Sequence, residues 1–285
     1  MYLALERYSR PASVEECLRI LADPRERAAF LSGGTDLNAG GHEALTHVVD
    51  LQALPLGGVS VAGEVIALGA RVTLGRVRRE PALAGSLFGA LREAAAAYAV
   101  VAVQNRSTLG GRVVVDRPDQ DVPPALLALG ARLRLAKLDG GRVVESVIDL
   151  PEGREARAAL DGALVIEIQI PLGEGVSALR RFGRTAVDVP LATVAAARRG
   201  DAVRVAANQQ GSGAGDLRRL RSLEALAASW SGARPSAWRA DARAAALSDL
   251  AAYEDPWATG GYRQDLSATL AVRALAAVIG EPEIV

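Results

Sequence analysis

The sequence predicts a water-soluble chain of mixed helices and strands, laid out in three segments. Three observations carry that expectation. Half of the residues are hydrophobic and 23% are charged, the ordinary balance of a globular chain with a sizeable core. No apolar run reaches the roughly 18 uncharged residues that a membrane helix needs. Glycine and proline cluster at Pro55–Gly58 and again at Gly173–Gly175, which divides the 285 residues into 1–56, 57–172 and 173–285.

Each element has a local cause. In the first segment Ser13 and Glu16 form a capping-box pattern ahead of Val14, Cys17, Leu18 and Leu21, which recur at helical spacing until Asp23-Pro24. Ala28–Leu31 and Thr46–Leu51 are apolar strand candidates. In the second segment 58–62, 64–68 and 70–73 read as strands, with Thr73 able to cap a short helix at Leu74–Arg78. Ala82–Tyr98 is alanine-rich and reads as helix, followed by a glycine-bearing loop at Gln104–Gly111 and a polar loop running to Pro124. Arg132–Leu138, Gly141–Val147 and Leu164–Ile170 complete a strand series. In the third segment Val176–Phe182 and Leu191–Ala197 are strands or buried helices, and Gly211–Gly215 is a loop. Leu217, Leu220, Leu223 and Leu226 read as one helical stripe, and Trp238–Leu250 and Tyr262–Val278 as further helices.

Composition excludes several functions. Lys+Arg and Asp+Glu both number 33, so no global field draws the chain to nucleic acid or anionic lipid. The single cysteine, Cys17, leaves no internal disulfide and no cysteine-ligated cluster, and its place on an apolar helix face predicts inert packing. His42 and His47 are too few for a metal site and are expected on the surface or as caps, and no Ser–His–Asp arrangement is legible. The arginine pairs at 180–181, 198–199 and 218–219 read as solvated faces or subunit contacts. The N-terminus lacks a signal-peptide pattern, so a cytoplasmic location is expected.

Two glycine-pair segments remain. One is Leu31, Ser32, Gly33, Gly34, Thr35, Asp36, Leu37 and Asn38, directly after an apolar strand. The other runs from Asn105 through Thr108, Leu109, Gly110 and Gly111. Paired glycines let backbone N–H groups approach an anion, and Thr35 and Thr108 add hydroxyls. Neither matches the dinucleotide or P-loop fingerprints, so spacing alone supports either tight turns or a nucleotide-phosphate site.

The order of these motifs resembles the FAD-binding medium subunit of the molybdenum hydroxylases, the group holding the flavin subunits of carbon monoxide, nicotinate and quinoline dehydrogenases and the flavin domain of xanthine dehydrogenase. Its A-G-G-T-D-L motif corresponds to Ser32–Leu37, and its R-N-R-x-T-I-G-G-N motif to Gln104–Arg112. Its G-D-L-P-P-A-L-L-A-L stretch corresponds to Gln120–Leu129, its R-x-A-x-D-I-A stretch to Arg180–Val189, and its closing Y-R-x-x-L helix to Tyr262–Leu275.

The resemblance implies an α+β chain with a PCMH-type FAD-binding fold. Two FAD-binding subdomains, 1–56 and 57–172, would precede a C-terminal domain of the CO dehydrogenase flavoprotein type, 173–285. It implies diphosphate binding by Leu31–Asn38 and Thr108–Gly111, and an acidic residue for the adenosine part at Asp121. It also implies an aromatic beside the flavin at Tyr98, and isoalloxazine contacts from Val165 and Arg181, the latter in place of a lysine. Arg112 stands where the family has asparagine and is expected to contact a phosphate or to pair with Asp116 or Asp119.

The implied function is electron transfer within an oxidoreductase complex. FAD on this chain would collect electrons from two [2Fe–2S] clusters of a small subunit, while a large subunit carries the molybdenum cofactor. The electrons would then pass to NAD, a quinone or oxygen. The rival readings are a scaffold that has lost FAD and a self-contained FAD oxidoreductase.

Overall fold

The computed structural model describes residues 5–39, 44–115, 120–153, 158–185, 188–210, 215–230 and 234–282. The expectations for His42, Asp116, Asp119 and residues 211–214 lie outside these residues. Among the described residues the strands form three sheets, of three, five and four strands.

The N-terminal sheet is parallel, in the order β1 (Arg7–Ser9), β3 (His47–Asp50), β2 (Ala28–Leu31). Helix α1 (Val14–Ala22) starts as the capping box requires, with Ser13 Oγ accepting from the Glu16 N–H at 3.2 Å. Its buried face places Cys17 and Leu18 in a small core with Val49, Leu51, Leu54 and Leu164. Burial holds the Cys17 thiol well above its usual range, at about 11. That suits inert packing, because the reactive thiolate is disfavoured.

His47 departs from expectation. It is buried on the central strand, not at the surface, with Ser9 Oγ 2.8 Å from Nε2 and Glu26 Oε2 2.8 Å from Nδ1. Arg7 in turn pairs with Glu26. A Ser–His–Glu chain, which spacing in the sequence conceals, thus fastens β1 and β3 to the entry of β2.

The middle sheet is antiparallel, in the order β4-β5-β8-β6-β7, formed by Val59–Ala62, Val65–Gly69, Leu164–Pro171, Arg132–Asp139 and Arg142–Asp149. Strand β8 is central and carries an extra residue. Arg134 pairs with Glu167 and Leu135 with Val165, so Ile166 has no partner on β6. The Ile166 carbonyl instead accepts from the Ala70 N–H at 2.9 Å.

Helices α2 (Leu74–Val77), α3 (Gly89–Ala97), α4 (Val101–Gln104), α5 (Leu109–Val114) and α6 (Val122–Ala128) accompany this sheet. The single helix expected over Ala82–Tyr98 is shorter. Two one-turn segments, Pro81–Leu83 and Ser86–Phe88, precede α3, because Pro81, Gly85 and Gly89 punctuate the run.

The C-terminal part is a four-stranded antiparallel sheet, β9 (Val176–Phe182), β10 (Ala192–Arg199), β11 (Ala202–Gln210) and β12 (Gly215–Arg219). It packs with α7 (Arg221–Ala228), α8 (Trp238–Asp249) and α9 (Gly260–Ile279). The leucine stripe divides here: Leu217 belongs to β12, and only Leu223 and Leu226 lie on α7.

The arginine pairs are ties more than solvated faces. Arg199 Nη2 donates to the Leu129 and Pro171 carbonyls at 3.0 and 2.7 Å, Arg198 Nε to Val278 O at 2.7 Å, and Arg218 Nη1 to Asp249 O at 2.9 Å. Among the described residues no helix is long and apolar enough to cross a membrane.

Candidate functional site

The two glycine segments meet. Thr108 Oγ1 donates to Ser32 Oγ at 3.1 Å, Arg106 Nη2 donates to Gly33 O at 3.4 Å, and the Thr35 and Ser107 hydroxyls stand 3.5 Å apart. Gly33 is required by this joint. A Cβ there would stand inside the van der Waals radius of the Arg106 carbonyl oxygen.

The second segment is not the loop that its glycines suggest. Gly110 and Gly111 lie in the first turn of α5, capped by Thr108, whose hydroxyl accepts from the Gly111 N–H at 3.4 Å. The Leu109 N–H donates to Val72 O at 2.9 Å, the Gly110 N–H to Ala70 O at 2.8 Å and the Arg112 N–H to Thr108 O at 3.0 Å. Gly110 is required because a Cβ would meet Ala70 Cβ at 2.8 Å and Ala70 O at 2.9 Å. The N–H groups of this pair are therefore engaged by the protein.

The first segment differs. Among the described residues no acceptor lies within hydrogen-bonding reach of the N–H groups of Gly33, Gly34 and Thr35. Gly34 adopts the left-handed conformation at φ 74°. Successive outward N–H groups around a left-handed residue form a concave donor set for an anion.

Two cavities flank the joint. One, of about 250 Å³, is polar and is bounded by Ser32, Gly33, Asp50, Arg71, Arg106 and Thr108. Its one carboxylate, Asp50, is engaged by the Tyr8 hydroxyl at 2.5 Å and the Gln52 N–H at 2.8 Å, and the first of these bonds raises the Tyr8 pKa. The other, of about 110 Å³, is apolar. Phe30, Leu51, Gly110, Gly111, Val114 and Val165 line it, so Val165 does reach the second glycine pair.

Arg112 is 2% exposed and forms an ion pair with Asp36 of the first segment, and its guanidinium lies 4.7 Å from the centroid of the Tyr98 ring. Of the two partners expected for it, the aspartates at 116 and 119 lie outside the described residues. The aspartate that it does engage is one that the family resemblance assigns to the cofactor. Arg112 lies four residues past the Thr108 cap, and a helical side chain projects back toward the helix N-terminus, which explains the reach to Asp36.

Asp121 and Arg181 form a separate cluster. Arg181 Nε lies 3.1 Å from Asp121 Oδ2, and the Thr193 hydroxyl donates to Oδ1 at 2.6 Å. Arg181 also donates to Asp188 O at 2.7 Å, and the Asn208 amide donates to Gln120 O at 2.9 Å. Asp121, 3% exposed, thus anchors the start of α6 to β9 and β10, and the Gln120 carbonyl anchors it to β11. Asp121→Asn is expected to lower stability by about 3 kcal/mol, the scale for breaking a buried pair, measured by urea unfolding. Thr193→Val should cost less, about 1–2 kcal/mol. Leu37 and Asn38 form a one-turn segment after the joint. Thr193, Arg71 and Ser107 belong to these clusters, yet nothing in their local sequence marks them.

Residues 3–173 match the family described as the FAD binding domain in molybdopterin dehydrogenase. Among curated relatives, the Escherichia coli K12 protein YgfM is 32% identical over 130 residues, 45% of this chain and 49% of that protein. The carbon monoxide dehydrogenase medium chain of Hydrogenophaga pseudoflava is 29% identical over 148 residues, 48% of this chain and 49% of its own length. The chain spans about half the length of the curated relatives it matches. The fold likeness is broader. A chain of reconstituted CO dehydrogenase from Oligotropha carboxidovorans superimposes with a TM-score of 0.85 at 21% identity, covering 99% of this chain and 100% of that one. With a family match over more than half of its length, the chain belongs to the FAD-binding domain family of the molybdopterin dehydrogenases.

Proposed function

We propose that the joint between Leu31–Asn38 and Thr108–Arg112 binds FAD, and that the chain is the flavin electron-transfer subunit of a molybdenum-dependent dehydrogenase. The observation that carries this reading is the N–H set of Gly33, Gly34 and Thr35, unengaged among the described residues, on a segment whose Ser32 borders both a polar and an apolar cavity. A dinucleotide needs both: donors for a diphosphate and a nonpolar wall for a ring.

The residues divide the work by chemistry. The first segment donates N–H groups to the diphosphate, with the Thr35 hydroxyl and the cations Arg71 and Arg106 near. The Gly110 and Gly111 N–H groups serve the fold instead, holding α5 so that Thr108 meets Ser32. Val165 supplies the apolar wall. Tyr98 and Arg112 stand together at the first segment, and Asp121 with Arg181 secures the C-terminal sheet behind it. When bound, FAD supplies the one- and two-electron chemistry that links a single-electron donor to an acceptor. The chain's own groups bind, orient and set the field around it.

In this reading residues 1–56 and 57–172 are the two halves of the flavin site, and 173–285 is a further domain. The partners are a molybdenum-cofactor subunit and a [2Fe–2S] subunit, the acceptor is NAD, a quinone or oxygen, and the location is cytoplasmic. Titrating the purified full-length chain with FAD tests the binding. Saturable quenching of flavin fluorescence, and an Arg106→Ala variant weakened by about 1.5–3 kcal/mol, are expected for a lost charge-assisted contact. Absence of binding at any concentration overturns the assignment in favour of a scaffold.

A further inference from the structure

The turn between α3 and α4 holds the one non-glycine residue in the left-handed region among the described residues, Ala99 at φ 45°. An alanine persists there only where its surroundings over-determine it. Packing holds only one side of the turn, where Tyr98 lies against the main core, since Val100 and Val101 are 58% and 55% exposed. The polar restraint comes from Gln104, which is 2% exposed. Its Nε2 donates to Ala96 O at 3.0 Å and to Ala99 O at 3.3 Å, and its Oε1 accepts from Arg78 Nη1 at 2.6 Å. One amide thus grips the carbonyls on both sides of Tyr98. Ala96 O alone would be ordinary satisfaction of a helix end; Ala99 O is not a helical carbonyl, and it belongs to the strained residue itself.

We propose that Gln104 is a positioning residue. It clamps the Ala99 turn, which sets Tyr98 against the Arg112 guanidinium, and the Arg112–Asp36 pair transmits that position to the first glycine segment. The chain Arg78–Gln104–Ala99–Tyr98–Arg112–Asp36 runs from the C-cap of α2 to the proposed diphosphate donors. Only its last step rests on the FAD reading; the clamp itself is a property of the protein without cofactor.

Hydrogen exchange of the full-length, FAD-free chain tests the clamp. In Gln104→Met the amides of Val103 and Asn105, which donate to the Val100 and Val101 carbonyls, should exchange about tenfold faster, the ratio expected when a strained left-handed residue is released. The amides of α9 should not change. Gln104→Glu keeps the Oε1 contact to Arg78 but loses both N–H donors; it should show the same local effect, and it serves if the methionine variant does not fold.

FAD titration of the same proteins tests the last step. Gln104→Met should weaken binding by about tenfold, and adding Ala99→Gly should recover most of it, because glycine adopts this φ without a clamp. A merely structural role for Gln104 predicts no such rescue. Unchanged exchange at Val103 and Asn105 in both Gln104 variants overturns the proposal. If the wild type itself binds no FAD, the flavin reading fails while the exchange result still decides the clamp.

Discussion

Gly33→Val is expected to separate the two halves of the site and to abolish FAD retention. A Cβ at this position would overlap the Arg106 carbonyl, which is backbone and cannot rotate away. Overpacking against side chains typically costs 1–3 kcal/mol, and a backbone obstacle puts this variant near the upper end, about 3 kcal/mol. The contacts that go with it are Thr108 to Ser32 and Arg106 to Gly33.

Gly34 separates this structural requirement from binding. Gly34→Val forces a branched residue to φ 74°, whereas Gly34→Asn places there a side chain that tolerates the left-handed region. The asparagine variant should fold nearly as well as the wild type and keep its N–H donors. Thermal unfolding and FAD titration of the three proteins check the order: Gly33→Val loses both stability and flavin, Gly34→Val loses both less completely, and Gly34→Asn retains both. Full flavin occupancy in Gly33→Val would remove the joint from the binding site.

Arg112→Ala should reduce both stability and flavin affinity, for separable reasons. Removing a partner from a buried ion pair costs about 3–5 kcal/mol, and the Tyr98 stack is lost with it. The effect on affinity works through Asp36. With Arg112 present, the Asp36 charge is compensated; without it, a bare carboxylate sits within the segment proposed to donate to a dianionic diphosphate. Two like charges about 6 Å apart at an effective dielectric near 20 repel by about 3 kcal/mol.

The double variant Arg112→Ala with Asp36→Asn should therefore recover most of the affinity that the single variant loses. If Arg112 instead contacts a phosphate directly, the double variant stays as weak as the single one. A double-mutant cycle on FAD binding distinguishes the two.

How much was legible in the sequence followed from how local each cause is. The Ser13 cap, the strands of the middle sheet and the long C-terminal helix are written in adjacent residues. The pairing of Gly33 with Arg106 is not, because 73 positions separate them, yet the two glycine motifs pointed to the same place. The glycines of α5 misled because glycine disfavours helix interiors, while here the first turn is stitched to Ala70 and Val72 from outside. Leu217 misled because a three-residue spacing can end a strand and begin a helix. The arginine pairs misled because a charged head on a long stem looks solvated in sequence and can still reach a distant carbonyl. The Arg112–Asp36 pair joins two motifs that were each recognised, but nothing in either says that its charge answers the other's.

The unpaired Ile166 on β8 carries a further implication. Its carbonyl holds the Ala70 N–H, and the Ala70 carbonyl holds the Gly110 N–H. Two peptide groups thus connect the irregular point of the middle sheet to the first turn of α5. The sheet's register and the placement of the second glycine pair are one mechanical variable, so neither can drift alone. That strand cannot be regularised without moving the first turn of α5.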